Sequence, residues 1–414
     1  MSAARSQATD DAAAARRFQL TRVPPDFFDD PYRYYRLLRE HDPVHQLEGG
    51  SVFLSRYEDA IAVYRSPHAS SDKKEEFRPK LGDSALYEHH TTSLVFNDPP
   101  LHTRVRRIIM GALNQKAIAR MEGDVVRLVD RLLEEMAAKG EVNFIDDYAA
   151  QIPIEVIGNL LDIPHGERGP LRGWSVAILT GLEPKLTPQM LETGNRAVTE
   201  FIDFLKGLIA ARRRKPGDYE SDVLTRLIQG EQDGEKLTEK ELYHQCIFML
   251  NAGHETTTNL LGNGMWLLLQ NPGELARLRA DPSLVPTAIE EMLRYDGPIQ
   301  LNNRRLTAAM TLSGKALPEG TLITIGIGAA NHDPQQFPSP ERFDVGRKPN
   351  RHVAFGQGDH ACAGMNVARM EGRIALARLL ARFRKIELAG EPERDRRIRF
   401  RGFRNLPVKI GDRP

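Results

Sequence analysis

The sequence predicts a mainly α protein with small β-sheets. Almost every segment from Pro100 to about Gln270 carries apolar residues at helical spacing, and strand-like runs elsewhere are short. One run, Thr238 to Gln270, continues for 33 residues without proline. At about 1.5 Å per residue such a helix spans about 50 Å. It is apolar on most faces around Ile247–Leu250 and Leu260–Leu269, so it reads as a buried central helix. A helix of that length through the middle argues for one domain over residues 26–414.

The elements follow in order. Residues 1–25 are Ala-rich and polar and are expected to form a flexible arm. After Asp30, Tyr32, Tyr35, Leu37 and Leu38 mark a short amphipathic helix. Strand-like runs at Pro43–Leu47 and Ser51–Leu54 flank Gly49 and Gly50, which suggests a hairpin. Helix resumes after Arg56. Residues 70–95 lose periodicity and are expected to be a long functional loop, a candidate lid, with one helical turn. The helical region from Pro100 is punctuated at Lys139-Gly140, Pro164–Pro170, Pro184–Pro188 and Pro216–Ser221. Beyond the central helix come helices at Gly273–Ala280 and Pro286–Tyr295, then β-like segments at Leu301–Leu312 and Leu322–Ile327. A proline-rich irregular stretch follows at His332–Pro349. A last helix over Ala363–Arg384 places Val367, Met370, Ile374, Ala377 and Leu380 at helical spacing.

Composition bounds the function. The 414 residues are 41% hydrophobic and 27% charged, and net charge is +1, which argues against bulk-charge binding of nucleic acid. No signal-peptide core and no run of about 18 uncharged apolar residues occurs, so a soluble cytoplasmic chain without a membrane role is expected. Charge is uneven: residues 301–414 hold 21 basic and 11 acidic side chains, against 36 and 45 before them. That excess is either a solvated face or a docking surface for an acidic partner. With only Cys246 and Cys362 there is no CxxC or Cys/His zinc spacing, so a metal bound through sulfur must rely on one thiolate.

The most specific string is Phe355-Gly356-Gln357-Gly358-Asp359-His360-Ala361-Cys362-Ala363-Gly364. Its glycines let the backbone turn tightly and approach a planar ligand, and its cysteine stands at the start of the last helix, where thiolate is favoured. The string resembles the haem-binding loop of the cytochrome P450 family, F-G-x-G-x-(H/R)-x-C-x-G, at every specified position. The resemblance implies the P450 fold, a single triangular-prism domain with a long central helix, and haem b (iron protoporphyrin IX) with Cys362 as the axial iron ligand. Thiolate ligation in these enzymes favours O–O cleavage.

Two further segments are similar to the family's. Glu291-Met292-Leu293-Arg294 gives an E-x-x-R whose spacing puts both charges on one helix face, and the resemblance joins Arg342 of Pro340-Glu341-Arg342-Phe343 to them in a buried structural network. Ala252-Gly253-His254-Glu255-Thr256 places Gly and a β-branched Thr in a buried helix, a local cost that points to function and to a bulge made by the Thr hydroxyl. The resemblance makes Ala252 and Gly253 the groove for dioxygen, Thr256 its hydrogen-bonding alcohol and Glu255 the link to solvent protons. His254 reads as a helix residue rather than a ligand, and Cys246 as a small buried hydrophobe.

Haem propionates need cations. Asp98-Pro99-Pro100-Leu101-His102-Thr103-Arg104-Val105-Arg106-Arg107 resembles the family's D-P-P-E-H-T-R-x-R-R helix, departing at Leu101, and offers His102 and Arg106 one turn apart. Arg304 and His360 complete the set, with Arg305 leaving the register open by one residue. Gly356, Phe355 and Gly364 shape the loop. Pocket walls are expected from the 70–95 loop, Leu182–Gly194, Phe248–Ala252 and Ile299–Asn303. Gln300 and Asn302, with His89 and His90 in the loop, suggest a substrate bearing an oxygen group, unless they lie outside the pocket.

The function so implied is a monooxygenase that inserts one atom of O2 into a small organic substrate by hydroxylation or O-dealkylation. Electrons come from a separate ferredoxin or flavodoxin with its reductase, because the chain has no cluster spacing or room for a flavin domain. Such carriers are acidic, which favours docking on the basic C-terminal quarter, where Arg347, Lys348, Arg351, Arg369 and Arg373 lie. A monomer is expected. The rivals are a haem-thiolate peroxygenase, which usually lacks the acid and alcohol pair, and a haem-based gas sensor, which would need no proton relay.

Overall fold

The computed structural model describes residues 2–219, 222–232 and 235–411. The chain gathers into two compact units, each drawn from separated segments. The first takes the segment ending at Ser71, Asn263–Cys362 and Glu393–Arg404; the second takes Asp72–Gly262, Ala363–Pro392 and the segment from Asn405.

The first unit is built around a five-stranded sheet in the order Val44–Gln46, Val52–Leu54, Leu322–Gly326, Leu301–Leu306, Ala69–Ser70. The expected hairpin is present, with Val44 opposite Leu54 and Gln46 opposite Val52. The central strand Leu322–Gly326 runs parallel to one neighbour and antiparallel to the other. Side chains alternate across the pleat. Val52, Leu54, Ile323 and Ile325 enter one core cluster, while Phe53 and Leu301 enter another.

The second of those clusters takes in part of the segment expected as a flexible arm over residues 1–25. The segment forms a helix, Ser2–Arg17, and short turns follow at Leu20–Arg22 and Pro25–Phe28. Ala15, Phe18 and Leu20 are buried with Phe27, Tyr35 and Phe53. The Phe18 ring lies 5.7 Å from Phe27 and 6.2 Å from Phe53. Two aromatic contacts of this kind outweigh a polar, low-periodicity sequence.

Asp296 anchors the same unit. It accepts from Tyr32 Oη at 2.7 Å, Arg401 Nε at 2.5 Å and Arg394 Nη2 at 3.0 Å. Burial raises its pKa, but the guanidinium groups of Arg401 and Arg394 outweigh that and hold the carboxyl at about 2, below its ordinary 3.8. A depressed carboxyl pKa adds stability that is full above the ordinary value and is lost as pH falls through the depressed one. The melting temperature of the wild-type chain should therefore decline between pH 4 and pH 2 more steeply than that of Asp296→Asn, already destabilised at neutral pH by about 3 kcal/mol. Parallel acid profiles would contradict this.

In the second unit the helix Pro188–Arg214 packs on Leu171–Thr180, with Trp174 stacked on Phe201 at 4.9 Å. Gln115–Lys139 lies against Met365–Arg382, tied by Arg378 to Asp130 and Arg382 to Glu134. A three-stranded sheet of Lys385–Leu388, Pro407–Gly411 and Glu141–Asn143 completes it. Gly140, at φ +74°, ends the long helix where the sequence marks a break. The central helix runs Glu239–Gln270, one residue shorter than expected. No helix among the described residues is long and apolar enough to cross a membrane.

The 70–95 stretch is not the long loop its composition suggests. It holds helices Lys74–Leu81 and Ala85–Thr92, the second capped by Ser84 Oγ accepting from Tyr87 N. Its inward residues include Lys73, His89 and His90 as well as Phe77 and Leu86, so polar side chains interrupt the apolar period.

Candidate functional site

The first unit positions the cysteine loop. Gly356 and Gly358 have φ of +64° and +70°, conformations that favour glycine. A Cβ on Gly358 would lie 2.5 Å from the Tyr64 carbonyl oxygen, so the loop sits directly on the helix Tyr57–Arg65. Gly356 N donates to Val353 O, Ala361 N to Gly358 O, and Cys362 N to Phe355 O at 2.9 Å, which closes the loop on itself. Phe355, His360 and Cys362 are half-buried. Gly364 follows as the N-cap of the helix Met365–Arg382.

Tyr64 also organises the nearby cation. The Arg304 guanidinium lies 5.5 Å from its ring centroid and donates to Asn302 Oδ1 at 3.1 Å and Asn303 O at 2.8 Å. Asn302 Nδ2 in turn donates to Tyr64 Oη at 3.4 Å. Arg304 is buried and Arg305 is half-exposed.

Behind the loop stands the E-x-x-R pair. Arg294 Nε and Nη2 each donate to one oxygen of Glu291 at 2.8 Å, and both side chains are 0% exposed. Glu291 also accepts from Arg347 Nε at 3.0 Å, Asn350 Nδ2 at 3.0 Å and Asp344 N at 3.1 Å. Here the expectation for Arg342 is corrected. Arg342 is exposed and supplies its carbonyl to Arg294 and Arg347, while the second guanidinium on Glu291 belongs to Arg347. Arg347 accordingly leaves the set of docking cations. Arg294 further donates to Asn331 O, and Asn331 Oδ1 accepts from Val353 N at 2.8 Å. The network thus reaches the residue on which the cysteine loop turns.

Two residues expected at the pocket make their contacts within this unit. Gln300 is 2% exposed, donates to Gly297 O, and its Oε1 would lie 2.1 Å from a Cβ on Gly328. Asn302 holds Arg304 in place, as above. Ile299 is half-buried and bridges to Phe400.

The second unit supplies the helical half of the predicted residues. On the central helix Phe248 and Thr256 are half-exposed and Ala252 is exposed, one row at spacing four on a helix otherwise largely buried. Thr256 Oγ1 donates to Ala252 O at 2.7 Å, the backbone bond expected of it, although the helix continues without the expected bulge. A Cβ on Gly253 would lie 2.6 Å from Ile157 Cδ1, so this glycine allows the helix Gln151–Leu160 to pack closely. Glu255 and His254 are buried; burial, with the charge of Arg172, pushes the His254 imidazole down to about 3. Burial pushes the Cys246 thiol up to about 12, consistent with an inert hydrophobe. His102 and Arg106 lie on the helix Leu101–Ala112, His102 buried and Arg106 half-buried.

Glu371 was not singled out by its sequence. It is 2% exposed, burial pushes its carboxyl up to about 8, and it shares a hydrogen bond with Thr257, the residue after Thr256. An acidic residue on the apolar face marked by Val367, Met370 and Ile374 is the signal that could have found it.

The donor set fits an iron porphyrin. A glycine-turned loop presents one sulfur, cationic side chains suit two carboxylates, and an otherwise buried helix leaves one row open. The profile of the family described as Cytochrome P450 matches residues 182–410. The chain is 36% identical to Cytochrome P450 107B1 of Saccharopolyspora erythraea, covering 93% of this chain and 96% of that one. It is 35% identical to 6-deoxyerythronolide B hydroxylase of the same organism, over 94% and 100% of the two chains. Among solved structures, P450BioI in complex with hexadec-9Z-enoic acid ligated acyl carrier protein superposes with TM-score 0.88 at 30% identity, covering 93% of this chain and 100% of that one. With this loop, this fold and these relatives, the chain belongs to the cytochrome P450 family of haem-binding monooxygenases.

Proposed function

We propose that the chain inserts one oxygen atom of dioxygen into a small organic substrate, by hydroxylation or O-dealkylation. The second atom leaves as water, with two protons and with two electrons from a separate ferredoxin or flavodoxin. The open row Phe248, Ala252 and Thr256 on a buried helix carries the reading, since it leaves room for substrate and oxygen beside an alcohol and an acid.

Haem b supplies oxygen activation when bound. Cys362 Sγ is the iron ligand, and His102, Arg106, Arg304 and His360 hold the two carboxylates; the backbone of Phe355, Gly356 and Gly364 shapes the seat. Ala252 keeps the helix face low where oxygen enters, Gly253 lets the neighbouring helix close up behind it, and Phe248 excludes water from the substrate. Thr256 passes a proton at Oγ1, and Glu255 replenishes it. Residues 26–414 act as one catalytic domain. Electron delivery uses basic side chains of the C-terminal quarter, where Lys348, Arg351 and Arg373 are exposed.

The test is nicotinamide consumption and product formation with holoenzyme, ferredoxin and reductase. In Thr256→Ala, product per nicotinamide should fall at least about tenfold with haem content unchanged. Unchanged coupling would remove Thr256 from the mechanism. Turnover with peroxide but none with carrier and nicotinamide would favour the peroxygenase instead.

A further inference from the structure

The second unit contains a group of buried polar side chains that the oxygen chemistry does not use. His89 and His90 come from the helix Ala85–Thr92, His244 and Asn251 from the central helix, and each is 2 or 3% exposed. The His89 ring centroid lies 5.0 Å from that of His90 and 5.5 Å from that of His244. His90 is packed edge-on against Phe77 and Phe96. His89 Nε2 stands 3.4 Å from Asn251 Nδ2. His89 Nδ1, His244 Nδ1 and Asn251 Oδ1 have no hydrogen-bond partner in the protein.

Buried polar atoms are almost always satisfied by protein, water or ligand, because each one left bare costs about 1 to 3 kcal/mol. Three such atoms together mark a place where something else binds. The His89–Asn251 contact also fixes what that is. Whichever tautomer and amide orientation are assigned, the contact uses one donor and one acceptor and leaves the pair with at least one of each. A hydroxyl matches both, and a ketone oxygen matches the donor.

Charge narrows the choice further. Burial, with the neighbouring imidazoles, holds His89 well below its ordinary range, and burial holds His244 at about 4. Both rings are therefore neutral near pH 7. Lys240, on the central helix, is paired with Glu88 at 2.5 Å, Glu88 also lies 3.8 Å from His244 Nε2, and the buried Lys73 is paired with Glu76 at 2.8 Å. A carboxylate would compete for cations already paired with Glu88 and Glu76, whereas a neutral oxygen needs none.

Position ties this group to the reaction. Asn251 immediately precedes Ala252 of the open row and stands five residues before Thr256, about 7.5 Å along the helix axis. We propose that His89 and Asn251 form the polar anchor of the substrate pocket and bind a neutral hydroxyl or ketone oxygen of the substrate. This rests on the monooxygenase reading and adds to it a substrate class: a neutral, oxygenated, mainly apolar molecule, oxidised away from the oxygen it already carries.

Holoenzyme is titrated with cyclododecanol, cyclododecanone, cyclododecane and dodecanoic acid, and binding is read from displacement of water in the haem spectrum. The alcohol and ketone should bind about tenfold more tightly than the hydrocarbon and the acid. Asn251→Leu, and independently His89→Phe, should bring alcohol and hydrocarbon within about twofold. No binding of the alcohol, equal affinity for alcohol and hydrocarbon in the wild-type protein, tighter binding of the acid, or a preference that survives both substitutions overturns the proposal. The wild-type comparison decides even if a variant fails to fold. The same samples are reduced under carbon monoxide; absence of the thiolate-type band in the wild-type protein would overturn the monooxygenase reading itself.

Discussion

Replacing Cys362 by serine is expected to abolish the carbon monoxide band characteristic of thiolate-ligated haem and to reduce oxidation to background. The chain has one other cysteine, Cys246, which is 0% exposed and whose thiol burial pushes up to about 12. It cannot take over as ligand, because only a thiolate donates to iron in this way. The loop should survive, since bonds between backbone atoms of Phe355, Gly358, Val353 and their partners close it. The variant therefore separates ligation from folding: far-ultraviolet dichroism unchanged, the band lost. Retention of the band would remove Cys362 from the iron.

The second large effect belongs to Glu291→Gln. Glu291 is 0% exposed and accepts from two guanidinium groups, an amide side chain and a backbone N–H. Removing its charge leaves Arg294 buried without compensation, which costs about 3 to 5 kcal/mol. The urea midpoint should drop accordingly, and haem should be lost earlier in the titration than the secondary structure, because the network reaches Val353 through Asn331. Arg294→Lys should produce a similar loss, since an ammonium cannot reproduce the two parallel bonds. A shift below about 1 kcal/mol would show that the network adds no more than an exposed ion pair.

The helical architecture was legible wherever apolar periodicity ran unbroken. The central helix and Val285–Tyr295 fall within a residue or so of the sequence reading. The 70–95 region was not, because His89, His90 and Lys73 are polar residues turned inward, and a pattern of burial written in polar side chains looks like a loop. The N-terminal segment escaped for the opposite reason: its few apolar residues are scattered, and long-range aromatic contacts decide its fate.

The site was legible in its motif residues and less so in their supports. Cys362, Glu291 and Arg294 could be named from spacing. Arg347 could not be told from Arg342, because both lie in the same irregular stretch and only tertiary contact distinguishes which reaches Glu291. Gln300 and Asn302 read as pocket residues by polarity, and the sequence carried no sign of their bonds to Gly297, Tyr64 and Arg304. Tyr64 itself carried no signal, since a tyrosine on an amphipathic helix is ordinary.

Tyr64 has a mechanical consequence. Its carbonyl bounds the turn at Gly358, its ring lies beside Arg304, and its hydroxyl receives Asn302. One residue thereby sets the spacing between the cysteine-bearing turn and the Arg304 cation, as a jig holds two parts during assembly. That spacing then inherits the stiffness of a single helical turn, so segments elsewhere in the chain are free to diversify without changing it.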